Sequence, residues 1–303
     1  MLEDLDSAPE ITRLTEQLLR RADADGRWPT PVEDIVAAAQ LSEPQESPFS
    51  PAVLLQAPKH VRRAIQRLGH GKIRALLDRR ERAVYLDPEI ENGGRRSFLR
   101  LHEVTHHLLP WQQELAYADS DATLSPATRG LFEREANQGA AELFFQGQRF
   151  AAMAGDFRID TASICQLAND VGASLRATLR QFAETHAGAV CGLVLEPSPI
   201  GVDPLRYRRR EVSQSRSWTS QFRGASTWPK ILSAEVFPFL VAAAPDAEQL
   251  APMSATWIDI DNTPVEIRAQ AMRNRYEVLV VLWVPTGERL KRKRVLQPVG
   301  SAA

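Results

Sequence analysis

The chain has 303 residues, of which 44% are hydrophobic and 25% charged, and its formal net charge is -1. This length allows two or three domains with substantial cores, and the near-neutral charge excludes a globally basic nucleic-acid binder. No apolar run approaches the roughly 18 residues of a membrane span, and the acidic first residues do not resemble a signal peptide. The two cysteines have no C-x-x-C spacing. They are typical of reduced thiols, so we expect a cytoplasmic protein.

The first elements are two helices followed by a hairpin. Helices are predicted over residues 8–22 and 31–39, the second introduced by the capping-box pattern T-P-V-E that starts at Thr30. Residues 72–77 and 83–86 are β-compatible and flank a charged turn, which predicts a hairpin in front of the next helix. Structurally these are two strands of a small sheet. In a protease, one of them would also be the edge that binds an extended peptide.

The next helix is predicted between an N-cap at Ser97 and a stop at Pro110. It contains H-E-V-T-H, which has the pattern H-E-x-x-H. Residues four apart lie on one helix face, so His102 and His106 can both reach one small cation. Glu103 is rotated by about 100° from His102, where a base acting on water is needed. The pattern predicts a catalytic metal site; an amphipathic core helix with solvated histidines is the structural alternative.

A second long helix is predicted from an N-cap at Ser125 to about Gln146. A catalytic zinc usually has three protein ligands and one open position, so a third ligand must come from elsewhere in the chain. We choose Glu133 on this second helix. Glu135 is rotated by about 200° from Glu133, so only one of the two can point at a given site. A bound metal would make hydroxide available near neutral pH, and Glu103 would transfer the proton during attack on a peptide carbonyl.

Residues 160–187 predict two helices joined at Gly172, with Arg176 and Arg180 exposed on the second. This arrangement resembles a helix-turn-helix unit, but any helical hairpin needs such a turn. Packing against the catalytic domain and direct DNA binding are therefore both open interpretations. Beyond residue 189 the β-compatible runs are 190–195, 255–260, 265–271 and 276–284. They indicate an α+β or mainly β C-terminal domain.

The motifs together resemble the ImmA/IrrE family of zinc metallopeptidases. The resemblance rests on R-x-x-F-x-x-x-H-E-x-x-H-x-L-L at residues 95–109 and on E-x-x-A-N-x-x-A-A-E-L at residues 133–143. It extends over about residues 10–185. It implies an α+β fold whose first domain is zincin-like and mainly helical with a small sheet. It also implies Zn²⁺, with Mn²⁺ as an alternative, bound by His102, His106 and Glu133, with Glu103 as the general base.

The resemblance further implies a domain order and a substrate. Residues 1–155 would form the peptidase, 156–189 a helix-turn-helix-like segment and 190–303 a GAF-like sensor domain. Family members cleave helix-turn-helix (XRE-type) repressors and so release stress-response or DNA-damage genes. The main alternative is a DNA-binding or sensory regulator with a structural or vestigial metal, against which the intact Glu103 argues. An unrelated metal hydrolase is a third interpretation, because H-E-x-x-H specifies water activation and not the bond attacked.

Overall fold

The structure is a computed structural model that describes residues 5–46, 48–55, 62, 74–113, 125–197, 205–222, 228–243 and 251–285. It contains two compact units, one made of Leu2–Phe150 with Asp170–Ala173 and the other of Ala151–Asn169 with Ser174–Ala303. Helices and antiparallel sheets confirm the predicted α+β fold class. The division at residues 155 and 189 stays a prediction. In the described ranges, no helix has both the length and the apolar character of a membrane span.

Two packed helices and a two-stranded sheet organise the first unit. Its elements are α1 (Ala8–Arg21), α2 (Val32–Ala38), α3 (Pro51–Leu54), β1 (Ala75–Asp78), β2 (Ala83–Leu86), α4 (Gly93–Leu108) and α5 (Pro126–Phe145). Helix α4 packs against α5, while α1 contacts α5 and α2 contacts α4. Strands β1 and β2 pair antiparallel and both contact α4, so the predicted hairpin in front of this helix is confirmed, while residues 72–73 of its predicted first strand lie outside the described residues. The buried core includes Ile11, Leu18, Leu101, Val104 and Leu143.

Two predicted helix starts are wrong. Helix α4 begins upstream of Ser97, and its N-cap is Asn92, whose side chain accepts a backbone N–H at 2.8 Å. Thr30 does not cap α2, because its hydroxyl donates to the carbonyl of Phe144 at 2.8 Å and Pro31 occupies the cap position. In the second case a contact with a distant helix has replaced the local cap.

The predicted N-cap of α5 is confirmed. The hydroxyl oxygen of Ser125 accepts the backbone N–H of Thr128 at 3.1 Å. We expect Ser125→Ala to lower the free energy of unfolding by about 1 kcal/mol, because this N–H loses its acceptor. Urea denaturation measures the change. Ser125→Asp keeps an acceptor and should unfold close to the wild type, whereas identical midpoints for Ser125→Ala and the wild type would contradict the assigned cap.

The remaining elements build a six-stranded antiparallel sheet and its helices. They are α6 (Gln148–Gly155), α7 (Thr161–Val171), α8 (Leu175–Thr185), β3 (Val190–Pro197), β4 (Arg206–Gln214), α9 (Arg216–Phe222), β5 (Ile231–Ser233), a 3₁₀ helix (Pro238–Ala243), β6 (Met253–Ile258), β7 (Pro264–Arg273) and β8 (Val278–Trp283). The strand order is β5-β4-β3-β8-β7-β6. Helix α8 packs on β3, β4 and β8. The buried core of this sheet includes Tyr207, Trp218, Leu232, Ile267 and Val280.

The two arginines of α8 have carboxylate partners within the second unit. Arg176 contacts Glu211 at 2.7 Å and Glu277 at 3.2 Å, and Arg180 contacts Glu211 at 3.4 Å. Because α8 packs on β4 and β8, the strands on or next to which these carboxylates lie, the arginines sit beside their own sheet. Both arginines are therefore engaged in ion pairs, while 41% of the Arg176 side chain and 48% of the Arg180 side chain stay exposed.

Candidate metal centre

The two histidines of H-E-x-x-H converge on one point beside α4. His102 and His106 lie one helical turn apart, and their Nε2 atoms are 3.1 Å from each other. The two rings meet edge to face, with their centroids 4.7 Å apart. This is the arrangement expected when the residues at i and i+4 of a helix both turn their side chains to one side.

Glu133 of α5 completes a group of three donors. Its carboxylate oxygens lie 3.3 Å from Nε2 of His102 and 3.7 Å from Nε2 of His106. Donors at the usual bond lengths to a tetrahedral zinc are about 3.3 to 3.6 Å apart, and the separations between these three donors, 3.1 to 3.7 Å, lie within about 0.2 Å of that range. The group of His102, His106 and Glu133 can therefore hold a metal ion, although the donor set alone does not select which metal. The structure thus brings all three predicted ligands together.

A close approach of α4 and α5 sets the distance between these donors. Thr105 is buried on α4, and its hydroxyl donates to the carbonyl of Leu101 at 2.8 Å. Opposite it on α5 lies Gly139, where a Cβ atom would be only 2.3 Å from the Thr105 methyl carbon and 2.9 Å from its hydroxyl oxygen. Only glycine at this position lets the helices carrying the three donors pack this closely.

We expect Gly139→Ala to lower the free energy of unfolding by about 2 kcal/mol. The added methyl group overpacks the helix contact at Thr105, which outweighs the gain in helix propensity of roughly 1 kcal/mol. Gly130→Ala is the matched control on the same helix, since its Cβ would only meet the Arg134 side chain at 3.6 Å. The control should be more stable than the wild type by about 1 kcal/mol.

A second substitution tests whether a clash with Thr105 is what destabilises Gly139→Ala. Thr105→Ala removes both atoms that the new methyl group would meet below 3.0 Å. The double variant Gly139→Ala/Thr105→Ala should therefore recover part of the stability that the first substitution loses. If Gly139→Ala and Gly130→Ala unfold at the same denaturant concentration, the helix contact does not limit stability.

Glu103 lies beside the donors, and its carboxyl group has a strongly raised pKa. Burial raises the pKa of Glu103 to about 7, and the charge of Glu133 adds to the rise, while His102, Arg79 and the backbone of Leu77 oppose it. A carboxyl group with a pKa near neutrality can both accept and return a proton at physiological pH. The structure therefore places Glu103 next to the three donors with a pKa near neutrality.

The surroundings of the donor group lower the pKa of Glu133 and shift the pKa values of the two histidines in opposite directions. The hydrogen bond with His102 lowers the pKa of Glu133. Burial opposes protonation of His102, but Glu133 and Glu103 together raise its pKa. Burial and the neighbouring His102 lower the pKa of His106, which favours the neutral ring that a metal requires.

Strand β1 turns part of its backbone towards the site. On β2, the N–H of Val84 donates to the carbonyl of Ser42 at 2.9 Å, so the backbone hydrogen-bonding groups of Val84 point away from β1. Leu77 is paired with Val84, and residues paired in this way both turn their backbone groups outward. The outward N–H of Leu77 reaches the Glu103 carboxylate. Ala75, two residues earlier, faces the same edge.

Behind the donors lie Gln112, which sequence reasoning missed, and Glu135, for which it predicted only a rotation away from Glu133. Gln112 lies in the helical turn after α4, and its Oε1 is 2.6 Å from Nδ1 of His106. Glu135 accepts a hydrogen bond from the Gln112 amide at 2.7 Å. The predicted rotation of Glu135 away from Glu133 is confirmed, since this carboxylate is buried and bonded elsewhere. No periodicity marks Gln112, because it follows the end of the helix that it supports.

Comparisons with known proteins do not establish a family. No protein-family model matches the chain, and no curated protein sequence matches it. Among solved structures, a Mycobacterium tuberculosis transcriptional regulator aligns with 11% sequence identity and a TM-score of 0.46, covering 91% of this chain and 76% of that chain. An alignment with these values supports no conclusion about the fold or the activity of this protein.

Proposed function

We propose that the protein is a zinc-dependent endopeptidase of the ImmA/IrrE type that cleaves a helix-turn-helix transcriptional repressor. The observation that carries the proposal is the juxtaposition of three metal donors with Glu103, whose pKa is raised to about 7. A metal held only for structure needs ligands and no base beside it. A zinc ion bound there would supply Lewis-acid polarisation of a carbonyl and lower the pKa of a coordinated water.

The residues of the site would have two separate roles, metal binding and proton transfer. His102, His106 and Glu133 would hold the cation from two helices. Glu103 would take up a proton as water attacks the peptide carbonyl and would then return it to the departing amine. The packing of α4 on α5 keeps the base and the ligands in one arrangement.

The outward backbone groups along the edge of β1 are an argument for a peptide as the substrate. An extended chain can add to an exposed strand edge through its main-chain groups, largely independently of sequence. The backbone groups of Ala75 and Leu77 face outward on the strand that contacts α4. The N–H of Leu77 is already bonded to Glu103, so a peptide paired there through Ala75 and the carbonyl of Leu77 would run past this carboxylate. This geometry favours an amide over a small ester or phosphate as the bond attacked.

The test is co-incubation with a helix-turn-helix repressor from the same organism, with zinc, with manganese and with excess chelator. We expect two fragments whose masses sum to that of the repressor plus one water, and no fragments when the chelator is present. Uncut repressor under every metal condition would overturn the proposal. Salt-dependent binding of the protein to promoter DNA without any proteolysis would favour the regulator alternative.

A further inference from the structure

A buried amide connects His106 to a carboxylate that is not a metal donor. Gln112 is fully buried. Its Oε1 lies 2.6 Å from Nδ1 of His106, and its Nε2 lies 2.7 Å from Oε2 of Glu135 and 3.3 Å from the carbonyl oxygen of Phe132. A buried amide with a partner at each end is held in one orientation.

The partners of the amide nitrogen decide which way the amide points. The carbonyl of Phe132 can only accept hydrogen bonds, so the NH₂ end of Gln112 must face it and Glu135. The oxygen end then faces His106, and an amide oxygen can only accept. Nδ1 of His106 must therefore carry the hydrogen, and its Nε2 presents a lone pair to the side where His102 and Glu133 lie.

Glu135 is itself fixed from three sides. Ser7, before α1, donates its hydroxyl to Oε1 at 2.6 Å, and the indole N–H of Trp111 donates to Oε2 at 2.9 Å. The third hydrogen bond comes from Gln112. Only 3% of the Glu135 surface is exposed, so these donors replace its hydration. The carboxylate is thus an anchor on the protein side of the site.

We infer that Gln112, anchored by Glu135, is a positioning residue that fixes the ring orientation and the tautomer of His106 for metal binding. The inference rests on the metal site of the proposed function. Partners of this kind behind a metal-bound histidine typically change metal affinity by roughly 10- to 100-fold when removed. The carboxylate acts here through an intervening amide rather than on the imidazole directly.

The first test needs no substitution at Gln112. In the full-length metal-free protein with ¹⁵N-labelled histidine, the His106 signal should show the hydrogen on Nδ1. His106→Asn identifies that signal by its loss. A ring with its hydrogen mainly on Nε2 would overturn the inference whatever the variants do.

The second test measures zinc affinity by competition with a chelator. Gln112→Leu has a similar size but removes both the acceptor for His106 and the donor to Glu135, and we expect zinc binding about 10- to 100-fold weaker with mixed His106 tautomers. The conservative variant Glu135→Gln still offers an oxygen to Trp111 and Gln112, while Ser7 can accept from the new NH₂ group. It should retain the tautomer and most of the affinity.

The outcomes separate this inference from the proposed function. Wild-type protein that binds no zinc would overturn the metal site itself and the inference with it. Zinc binding by the wild type with equal affinity and the same tautomer in Gln112→Leu would overturn the positioning role alone. If Gln112→Leu does not fold, the tautomer of the wild type still decides the matter.

Discussion

Glu103→Gln should abolish cleavage of the repressor while leaving zinc binding intact. We expect the rate to fall by about 10³-fold, within the range found for loss of a general base. Glutamine has nearly the same shape, and its amide oxygen can still accept the N–H of Leu77 that reaches Glu103 in the wild type. It cannot take up a proton from water. Single-turnover cleavage followed by fragment masses measures the effect.

The zinc affinity of the same variant is the required control. Glu103 is not among the three donors, so the dissociation constant for zinc should stay close to that of the wild type. Loss of cleavage together with loss of zinc would mean that Glu103 supports the ligands rather than the chemistry. Cleavage at the wild-type rate by Glu103→Gln would show that another group serves as the base.

Glu133→Ala should weaken zinc binding by more than about 100-fold, since it removes a direct ligand and even indirect partners cost up to that much. The Glu133 side chain is 62% exposed. Its removal should therefore leave the metal-free protein as stable as the wild type. Titration calorimetry with zinc gives the affinity, and thermal unfolding without metal gives the stability.

The zinc dependence of unfolding offers a second measure of Glu133. A ligand that binds only the folded state stabilises it, and a 100-fold weaker affinity removes up to about 2.7 kcal/mol of that stabilisation. Glu89→Ala is the control, because it also removes one carboxylate, from a side chain that is 84% exposed. This control should respond to zinc like the wild type. A Glu133→Ala protein that is stabilised equally by zinc would remove Glu133 from the proposed ligands.

Local patterns predicted the elements that carry the site. The spacing of His102 and His106 needs only the geometry of one helix, which the sequence displays directly. The hairpin before that helix follows from a change of period and a charged turn. Strand β4 could also have been found, since exposed Arg206 and Arg208 flank buried Tyr207 in the alternation typical of a strand. The run of arginines obscured that signal.

Contacts between distant residues lay beyond sequence reasoning. Helix geometry shows that Glu133 and Glu135 cannot both point at one site, but nothing in their own helix says which of the two meets α4. The role of Gln112 depends on Glu135, and the partners of Arg176 lie 35 and 101 residues away. Thr30 was expected to cap its own helix but bonds to α5 instead. In each case, tertiary packing decides between several partners that the local sequence allows equally.

One edge of the small sheet, that of β2, is partly covered by another segment of the same chain. Ser42 lies against the outer edge of β2, where its N–H donates to the carbonyl of Arg82 at 2.8 Å and its carbonyl accepts from Val84 at 2.9 Å. Open strand edges promote unlimited association between molecules. Because Ser42 of the same chain occupies this part of the β2 edge, a second molecule cannot pair with β2 there.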